Sequence, residues 1–436
     1  MGKKITLIGA GSIVFTKGLL ADMIKTFEGD RWILALVDTD NGALSAAKGL
    51  CKKMISMRNS DIELICTTER CDVLSGSDYV VTTIGVGGRR AWEQDVFVPR
   101  KYGVYQPVGD SIMPGGISRG LRMIPSMLDI VKDVERLCPK AIFFNYANPM
   151  TMICRAIKKA NGFPVIGLCH GVTHTESYLA NFAGLERSKV SSIAVGLNHL
   201  TFIYDFRFDG EDARPLLKSK YLDSKADRSE LDERFCWELF DTYSAFPAPG
   251  DRHVTEFYAD RYKEKESYYG KTLGEDAYSF EQTIFHGDKE FSEMRSLAAS
   301  PDELPDSFHD YFAGEHEQIM SIIHSIEHDE RYVYSVNMPN NGVVSNLPSY
   351  AVIEAPGVAM GSGIMPIQIT DFPDILAGII SKHAAIAEIG VDAALTGSKD
   401  LFVEAILMGG YLTDKDIAAN MVNELIQVHA QYLPQF

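Results

Sequence analysis

The chain has 436 residues, of which 46% are hydrophobic and 23% charged, and its formal net charge is −17 at pH 7. This composition excludes a disordered chain, and the length predicts more than one domain around a large core. The acidic charge argues against nucleic acid and anionic membranes as partners, and we attribute it to a solvated surface that aids solubility.

The chain start and the cysteines indicate a cellular location. Met1 is followed by a buried-strand pattern and a glycine turn instead of a signal peptide, so we expect the protein to remain in the cytoplasm. No apolar run approaches the roughly 20 residues that span a bilayer. The seven cysteines are scattered without a CxxC motif. They predict reduced thiols, and neither a disulfide framework nor a structural zinc module.

Strand patterns alternate with amphipathic helices in the first part of the chain. Residues 4–12 predict a strand ending in a glycine turn, and helical spacing follows over 14–27. Further strands are predicted at 32–40, 77–88, 140–149 and 163–171, with helices at 124–138 and 150–161. This alternation predicts an α/β fold with a Rossmann-like, doubly wound parallel sheet, whose ligands lie beyond the carboxyl ends of the strands.

The first glycine turn is a candidate dinucleotide site. Gly9 and Gly11 stand where such a loop belongs, although Val14 replaces the third glycine of the usual fingerprint. Ser12 and the free N–H groups of the next helix can hold a pyrophosphate. Asp38, at the end of the second strand, can bind a ribose diol and repel a 2′-phosphate, which favours NAD over NADP. A plain tight turn and a helix cap by Asp38 are the alternatives.

The pattern changes near residue 190. Residues 191–210 predict long strands with an Asp-Gly turn, and charge-rich helices and loops follow to about residue 330. Strands return over 333–367, and the C-terminal segment has helical spacing. We therefore predict an NAD-binding domain over 1–190 and an α+β domain over 191–436 that binds the substrate and carries the catalysis.

Four polar clusters suggest a second ligand. They are "VGDSIMPGG" (108–116), "NYANPM" (145–150), "CHG" (169–171) and "GLNHLTF" (196–202). The last three follow predicted strands, and the first precedes a helix in a loop that can reach the same rim. Cys169 and His199 could supply a thiolate and an imidazole to one divalent ion, leaving positions free for a chelating substrate. Alternatively, Cys169 is a small buried side chain and His199 part of a hydrogen-bonded turn.

These motifs resemble those of glycoside hydrolase family 4, as do "LIGAGS", "GDRHVTEF" and "VNMPNNGVVSNLP". The motifs occur in the same order as in the family, and the resemblance covers nearly the whole chain. The resemblance implies a fold similar to lactate and malate dehydrogenases and glycoside hydrolysis with NAD and Mn²⁺ or another divalent metal. In the implied route, NAD⁺ takes the C3 hydride, a base removes the C2 proton, and the C1 leaving group is eliminated. Water then adds and the hydride returns, while the metal chelates the C2 and C3 oxygens.

The resemblance also implies roles for individual residues. It assigns the metal to Cys169 and His199 and sugar binding to Asn148. We further assign Asn145, at a strand end, to the cofactor site, and Asp110, in the glycine-rich loop, to the substrate site.

The catalytic acid and base are implied in the same way. His170 follows the metal cysteine, where family members have an aspartate acid or a histidine, and it can serve as acid or bind sugar hydroxyls. Asp251 is the expected C2 base, in place of the tyrosine of some members. Its alternative is a loop cap, and Tyr243, Tyr258 and His253 are nearby competitors.

The residues around Cys169 suggest the substrate class. The Cys-His-Gly form resembles the α-glucuronidase subgroup, and "GDRHVTEF" with "VGDSIMPGG" resembles α-galacturonidases. A uronate carboxylate favours a bidentate arginine, for which Arg119, Arg122 and Arg252 are candidates, with ordinary salt bridges as their alternative. We predict an α-uronidase, with an α-galactosidase or α-glucosidase as the alternative.

Other protein classes fit these residues less well. A 2-hydroxy-acid dehydrogenase has no use for Cys169 followed by His170. A non-catalytic NAD-sensing protein would not need Cys169, His199 and Asn148 together. The expected partner is a small carbohydrate. Apolar helical segments such as 125–131 suit a homodimer or homotetramer interface, and burial in the core is the simpler account of them.

Overall fold

The first half of the chain alternates strands and helices. The computed structural model describes residues 2–224, 231–261, 267–268, 271–272, 279–313 and 316–436. The first strands are β1 (Lys3–Ile8), β2 (Trp32–Val37), β3 (Ile62–Thr67), β4 (Tyr79–Thr82), β5 (Ile142–Asn145) and β6 (Ile166–Gly167). The helices are α1 (Ile13–Thr26), α2 (Asn41–Arg58), α3 (Cys71–Leu74), α4 (Gly88–Lys101), α5 (Pro114–Leu137), α6 (Met150–Asn161) and α7 (Gly171–Ala183). These strands pair in parallel in the order β3-β2-β1-β4-β5-β6, which confirms the predicted Rossmann-like sheet.

The later strands extend the same sheet by antiparallel pairing. They are β7 (Val190–Leu197), β8 (Leu200–Phe208), β9 (Glu211–Asp212), β10 (Phe246–Ala248), β13 (Val333–Pro339), β14 (Val352–Met360) and β15 (Gly363–Pro366). Beyond β6 the order is β13-β14-β7-β8-β10, so among the described residues thirteen strands form one sheet. The short strands β11 (Ser267–Tyr268) and β12 (Lys271–Thr272) form a separate hairpin.

Helices surround this extension. They are α8 (Arg214–Ser224), α9 (Arg234–Tyr243), α10 (Asp251–Val254), α11 (Phe280–Ala299), α12 (Ser307–Ala313), α13 (Ile319–His328), α14 (Asp374–Thr396), α15 (Lys399–Gly409) and α16 (Lys415–Val428). Short 3₁₀ turns cover Arg187–Lys189, Thr255–Arg261 and Ala430–Tyr432. Among the described helices, none combines the length and the apolar character that crossing a bilayer requires.

Two hydrophobic clusters lie on the two faces of the parallel strands. On β2, Ala35 and Val37 belong to one cluster, whereas Leu34 and Leu36 belong to the other. This alternation follows from the two-residue period of a strand, and apolar residues on both faces are typical of a parallel sheet covered by helices. Residues 127, 130 and 131 of the predicted interface segment lie in the first of these clusters, buried within the chain.

The helix predicted over 124–138 begins earlier in the structure, because the glycine-rich segment before residue 124 is also helical. Helix α5 begins at Pro114, a residue that suits the first helical position. A Cβ on Gly115 would lie 2.5 Å from the Asp95 carbonyl oxygen, and one on Gly116 would lie 2.5 Å from the Ser111 carbonyl carbon. The glycines therefore serve close packing, although their low helix propensity obscures the helix in the sequence.

Two strands also differ from the sequence prediction. Strand β3 was not predicted, because it is only partly buried and Glu63 interrupts its apolar residues. Strand β4 ends at Thr82, well before residue 88, since Gly87 takes a left-handed backbone (φ 79°) at the start of α4.

A buried charged cluster joins α4, α5 and the C-terminal segment. Both terminal nitrogens of Arg122 donate to the Asp95 carboxylate, at 2.8 and 2.5 Å, and His429 Nε2 lies 2.9 Å from the same carboxylate. Burial raises the pKa of Asp95, but Arg122 and His429 outweigh burial and lower it. Arg122 is 1% exposed and fully engaged here. It is therefore a structural residue, which corrects its candidacy as a uronate ligand.

We expect Arg122→Met to lower the free energy of unfolding by about 3–5 kcal/mol, because it leaves the Asp95 carboxylate buried without its main cation. The measurement is the urea midpoint at pH 7. The control is Arg90→Met, whose partner Asp288 lies on the surface and whose own side chain is 62% exposed, with an expected loss below about 1 kcal/mol. Equal midpoints for the two variants would contradict a central role for this cluster.

Candidate active site

The glycine turn after β1 packs tightly against neighbouring strands. Gly9 has φ 99°, and a Cβ there would lie 2.7 Å from the carbonyl carbon of Thr83. The Gly11 N–H donates to Asp38 Oδ2 at 2.7 Å, so the carboxylate at the end of β2 fixes the turn. Ser12 precedes α1, and its hydroxyl makes no capping hydrogen bond to that helix. The turn, the helix N-terminus and Asp38 therefore lie together, as a dinucleotide site requires.

Asn145 has its side-chain amide hydrogen-bonded near the end of β5. It is fully buried at the end of β5, where its Nδ2 donates to the Ala147 carbonyl (2.9 Å). Its Oδ1 accepts hydrogen bonds from the Ala147 N–H and from Thr82 Oγ1, both at 3.0 Å. Its amide thus shapes the strand end, and its assignment to the cofactor site stays a prediction.

His199 is the centre of a polar cluster at the β7–β8 turn. Its backbone is left-handed (φ 70°), a conformation in which histidine is enriched among non-glycine residues. The ring is buried, with Nδ1 2.6 Å from Ser111 Oγ and 3.6 Å from Asp110 Oδ1. The His253 ring from α10 packs against it, with centroids 4.0 Å apart. The turn thus brings the predicted Asp110 and His199 together with His253.

The charges within this cluster are strongly coupled. Burial lowers the pKa of His199, but Asp110 and Cys169 outweigh burial and raise it well above its usual value. Burial raises the pKa of Asp110, yet His199, His253 and Arg119 hold it well below its usual range. Burial and the neighbouring His199 lower the pKa of His253 to about 3. Perturbed groups of this kind are typical of functional sites.

Cys169 borders the same cluster from the loop between β6 and α7. Its thiol accepts the Gly171 N–H at 3.4 Å, and its carbonyl accepts Gln318 Nε2 at 2.9 Å. A Cβ on Gly171 would lie 2.8 Å from Pro249 Cβ, which explains the glycine after Cys-His. The thiol is only partly buried, so it is available to a ligand.

The donor atoms fit a divalent metal ion. One ligand atom each of Asp110, His199 and His253 lies within 4.8 Å of the others, and Cys169 is their neighbour. Within the described part of the chain, His253 Nδ1 is buried without a hydrogen-bond partner, as expected of a nitrogen reserved for a ligand. Carboxylate, imidazole and thiolate together suit Mn²⁺, Zn²⁺ and related ions. His253 was considered in the sequence only as a base, since nothing in its spacing links it to His199.

Asn148 and Arg119, both partly buried, lie next to Asp110. Asn148 Nδ2 donates to Asp110 Oδ2 at 3.1 Å, and Arg119 Nε donates to the Asn148 carbonyl at 3.0 Å. The Arg119 guanidinium lies 5.5 Å from the centre of the Trp92 ring, a cation–π distance. Both predicted substrate residues therefore lie beside Asp110.

Asp251 and Arg252 are each hydrogen-bonded to a neighbouring helix. The two carboxylate oxygens of Asp251 accept the N–H groups of Phe235 and Cys236 at the start of α9 (3.0 and 2.8 Å). Arg252 donates to Thr283 on α11. Both side chains are therefore engaged by neighbouring helices, and Arg252 is near enough to His253 to contribute to the lowering of its pKa.

Two glutamates near the cluster were not among the predicted site residues. Glu256 Oε1 accepts the N–H groups of Val108 and Gly109 (2.8 and 2.7 Å) and thereby holds the loop of Asp110. Glu317 Oε1 lies 3.9 Å from His170 Nδ1. Burial raises the pKa of each carboxyl to about 7. Glu256 lies within the motif "GDRHVTEF", but the sequence assigned it no role of its own. Glu317 lies in a charge-rich segment without strand or helix periodicity.

Comparison with known proteins identifies the family. A model of family 4 glycosyl hydrolases matches residues 4–185, and a model of their C-terminal domain matches residues 194–409. An alpha-galactosidase of Rhizobium meliloti (strain 1021) is 30% identical over 453 aligned residues, which cover 99% of this chain and 89% of that protein. An alpha-galacturonidase of Bacillus subtilis (strain 168) is 29% identical, with 97% of each chain covered.

A solved structure adds to the evidence for the fold. The crystal structure of a 6-phospho-alpha-glucosidase from gut microorganisms, in complex with NAD and Mn²⁺, superposes with a TM-score of 0.83 over 100% of both chains at 17% identity. The two family models together span most of the sequence, including every residue of the His199 cluster. The chain belongs to family 4 of the glycosyl hydrolases.

Proposed function

We propose that the protein is an α-uronidase, hydrolysing α-galacturonides or α-glucuronides with NAD and a divalent metal ion, Mn²⁺ first among them. The observation that carries this proposal is the donor cluster of Asp110, Cys169, His199 and His253, with Arg119 beside Asp110. The related 6-phospho-alpha-glucosidase, solved with NAD and Mn²⁺, supports the two cofactors.

The cofactors and the side chains of the protein would supply different parts of the chemistry. When bound, NAD supplies a hydride acceptor and the metal ion a Lewis acid. Cys169 and His199 would hold the ion, and Ser111, whose Oγ lies 2.6 Å from His199 Nδ1, would orient the ring for it. The turn from Gly9 to Ser12, with Asp38, would hold the dinucleotide.

The remaining residues would act on the sugar. Asn148, held by Asp110, would bind sugar hydroxyls, and the exposed His170 would face the leaving group as its acid. Asp251 would remove the C2 proton. This role requires its carboxylate to leave the N–H groups of Phe235 and Cys236 when substrate is bound, because an acceptor of two N–H bonds is a poor base.

Arg119 supports a uronate over a neutral sugar. Its Nε is bonded to the Asn148 carbonyl, and its guanidinium lies beside Trp92 and close enough to Asp110 to lower the pKa of that carboxyl. A guanidinium in this position can bind a carboxylate at two points. The α-galactosidase of R. meliloti, 30% identical, favours a neutral α-galactoside as the second candidate.

The cofactor requirement is tested by hydrolysis of 4-nitrophenyl α-galacturonide under reducing conditions. We expect activity only with both NAD⁺ and Mn²⁺, and at least a 100-fold loss in Cys169→Ser, because serine is a weaker ligand for the ion. Cys71→Ser, an exposed cysteine on α3, is the control and should keep full activity. Turnover after chelation of the metal would contradict the proposal.

Substrate class is tested by Arg119→Gln. We expect kcat/KM for the α-galacturonide to fall about 10- to 100-fold, the value of charge-assisted hydrogen bonds, and kcat/KM for the α-galactoside to change little. Arg90→Gln, whose side chain is on the surface, is the matched control. An equal loss for both substrates would assign Arg119 to the support of Asn148 and remove the case for a uronate.

The base is tested by exchange of the sugar C2 hydrogen in D₂O. Asp251→Asn should abolish incorporation of deuterium at C2, whereas Tyr258→Phe should retain it. The melting temperature of each variant is measured alongside, because loss of the carboxylate at the start of α9 also lowers stability, by about 1 kcal/mol. Exchange that persists in Asp251→Asn would leave Asp251 with a capping role only.

A further inference from the structure

Glu354 is a buried carboxyl group of β14 for which the proposed reaction has no use. The residue is 2% exposed, and its backbone pairs with Asn337 of β13 on one side and with Gly196 of β7 on the other. Each of its carboxyl oxygens faces a hydroxyl group. Thr201 Oγ1 donates to Oε2 at 2.8 Å, and Ser335 Oγ donates to Oε1 at 3.3 Å. A carboxyl group buried in the middle of a sheet is costly unless it is hydrogen-bonded, so these contacts hold it in place.

The first hydroxyl group closes the turn that carries His199. Thr201 Oγ1 lies 2.9 Å from the carbonyl oxygen of Leu197 and 2.8 Å from Glu354 Oε2, so both ends of the turn are attached to β14. Between them, the backbone of His199 is left-handed (φ 70°). A residue with a side chain keeps this conformation only where the surrounding structure enforces it. Glu354 supplies part of that support from the neighbouring strand.

The second hydroxyl group leads to the loop of Cys169. Gln318 Nε2 donates to the Cys169 carbonyl at 2.9 Å, and the Ser335 carbonyl oxygen lies 3.5 Å from the same nitrogen. Ser335 is joined to Glu354 through its own hydroxyl group. The polar contacts therefore continue from the Cys169 loop through Glu354 to the turn after β7.

We propose that Glu354 is a positioning residue that holds Cys169 and His199 at the separation which a divalent metal ion requires. The inference rests on the metal site of the function proposed above, and it depends on no particular substrate. Glu354 acts through hydrogen bonds to the segments that carry the two ligands. Partners that orient metal ligands in this way typically contribute about 10- to 100-fold to metal affinity.

The dissociation constant of Mn²⁺ tests this role, measured from the EPR signal of the free ion without NAD⁺ or sugar. Thr201→Val keeps the shape of the side chain and removes the hydroxyl group. It should raise the Mn²⁺ constant about tenfold or more and change the NAD⁺ constant, measured by calorimetry, less than about twofold. Thr201→Ser restores the hydroxyl group and should return the Mn²⁺ constant to within about threefold of the wild type.

A second variant removes the same hydrogen bond from the other side. Glu354→Leu should also raise the Mn²⁺ constant about tenfold or more. If this variant fails to fold, the comparison of Thr201→Val with Thr201→Ser still decides the role, because both leave the carboxyl group in β14.

The matched control is Thr6→Val. Thr6 of β1 is as buried as Thr201, and its hydroxyl group lies 2.7 Å from Ser77 Oγ. We expect the control to lower the melting temperature about as much as Thr201→Val and to leave the Mn²⁺ constant unchanged. An equal rise of the Mn²⁺ constant in both variants would show that metal affinity only follows stability, which overturns the proposal.

The same binding data separate this inference from the proposed function. Unchanged Mn²⁺ affinity in Thr201→Val and Glu354→Leu overturns the positioning role and leaves the proposed function in place. A wild-type protein that binds no Mn²⁺ overturns the metal site and the positioning role together. If Mn²⁺ binds and no glycoside is hydrolysed, the proposed function fails, and the Mn²⁺ constants still decide the role of Glu354.

Discussion

Buried carboxylates hold the loops of the active site, because a negative charge inside the protein must meet N–H groups or cations. Glu256 fixes the loop before Asp110, and Asp22 fixes the segment that carries Glu317. Each contact joins parts of the chain more than 140 residues apart. Part of the acidic excess is therefore structural, and a solvated surface explains only the rest of it.

Helix α5 shows how the same residue type takes two roles within one turn. Arg119 and Arg122 are three residues apart, yet Arg122 enters the buried pair with Asp95 while Arg119 contacts the Asn148 carbonyl. Their spacing in the sequence does not distinguish their roles, because each role depends on the residue that the arginine contacts. Asp95 comes from α4 and also contacts His429 from the C-terminal segment, so Arg122 belongs to a buried cluster that joins three parts of the chain.

The sequence predicted the parts of the site that follow strand ends, and family resemblance assigned their chemistry. Cys169, His199 and Asn148 belong to this group. Residues whose role depends on backbone contacts escaped prediction, since an N–H donor has no signature in the sequence. For Asp251 the sequence left the roles of base and loop cap open for this reason, and in the structure its carboxylate accepts two N–H groups of α9. Glu317 escaped for a related reason: the contact with His170 spans 147 positions and no periodic pattern surrounds it.

The sheet explains why the site needs both halves of the chain. Gly167 of β6 pairs with Asn337 of β13, Asn337 with Glu354 of β14, and Glu354 with Gly196 of β7, so one row of residues crosses the predicted boundary at residue 190. A Cβ on Gly167 would lie 2.8 Å from Asn337 Cβ, and one on Gly196 would lie 2.1 Å from a carbonyl oxygen in the β7–β8 turn. Cys169 is two residues after the first glycine and His199 three after the second. The close packing of this row therefore fixes the two proposed metal ligands relative to each other, and neither half of the chain could form the site alone.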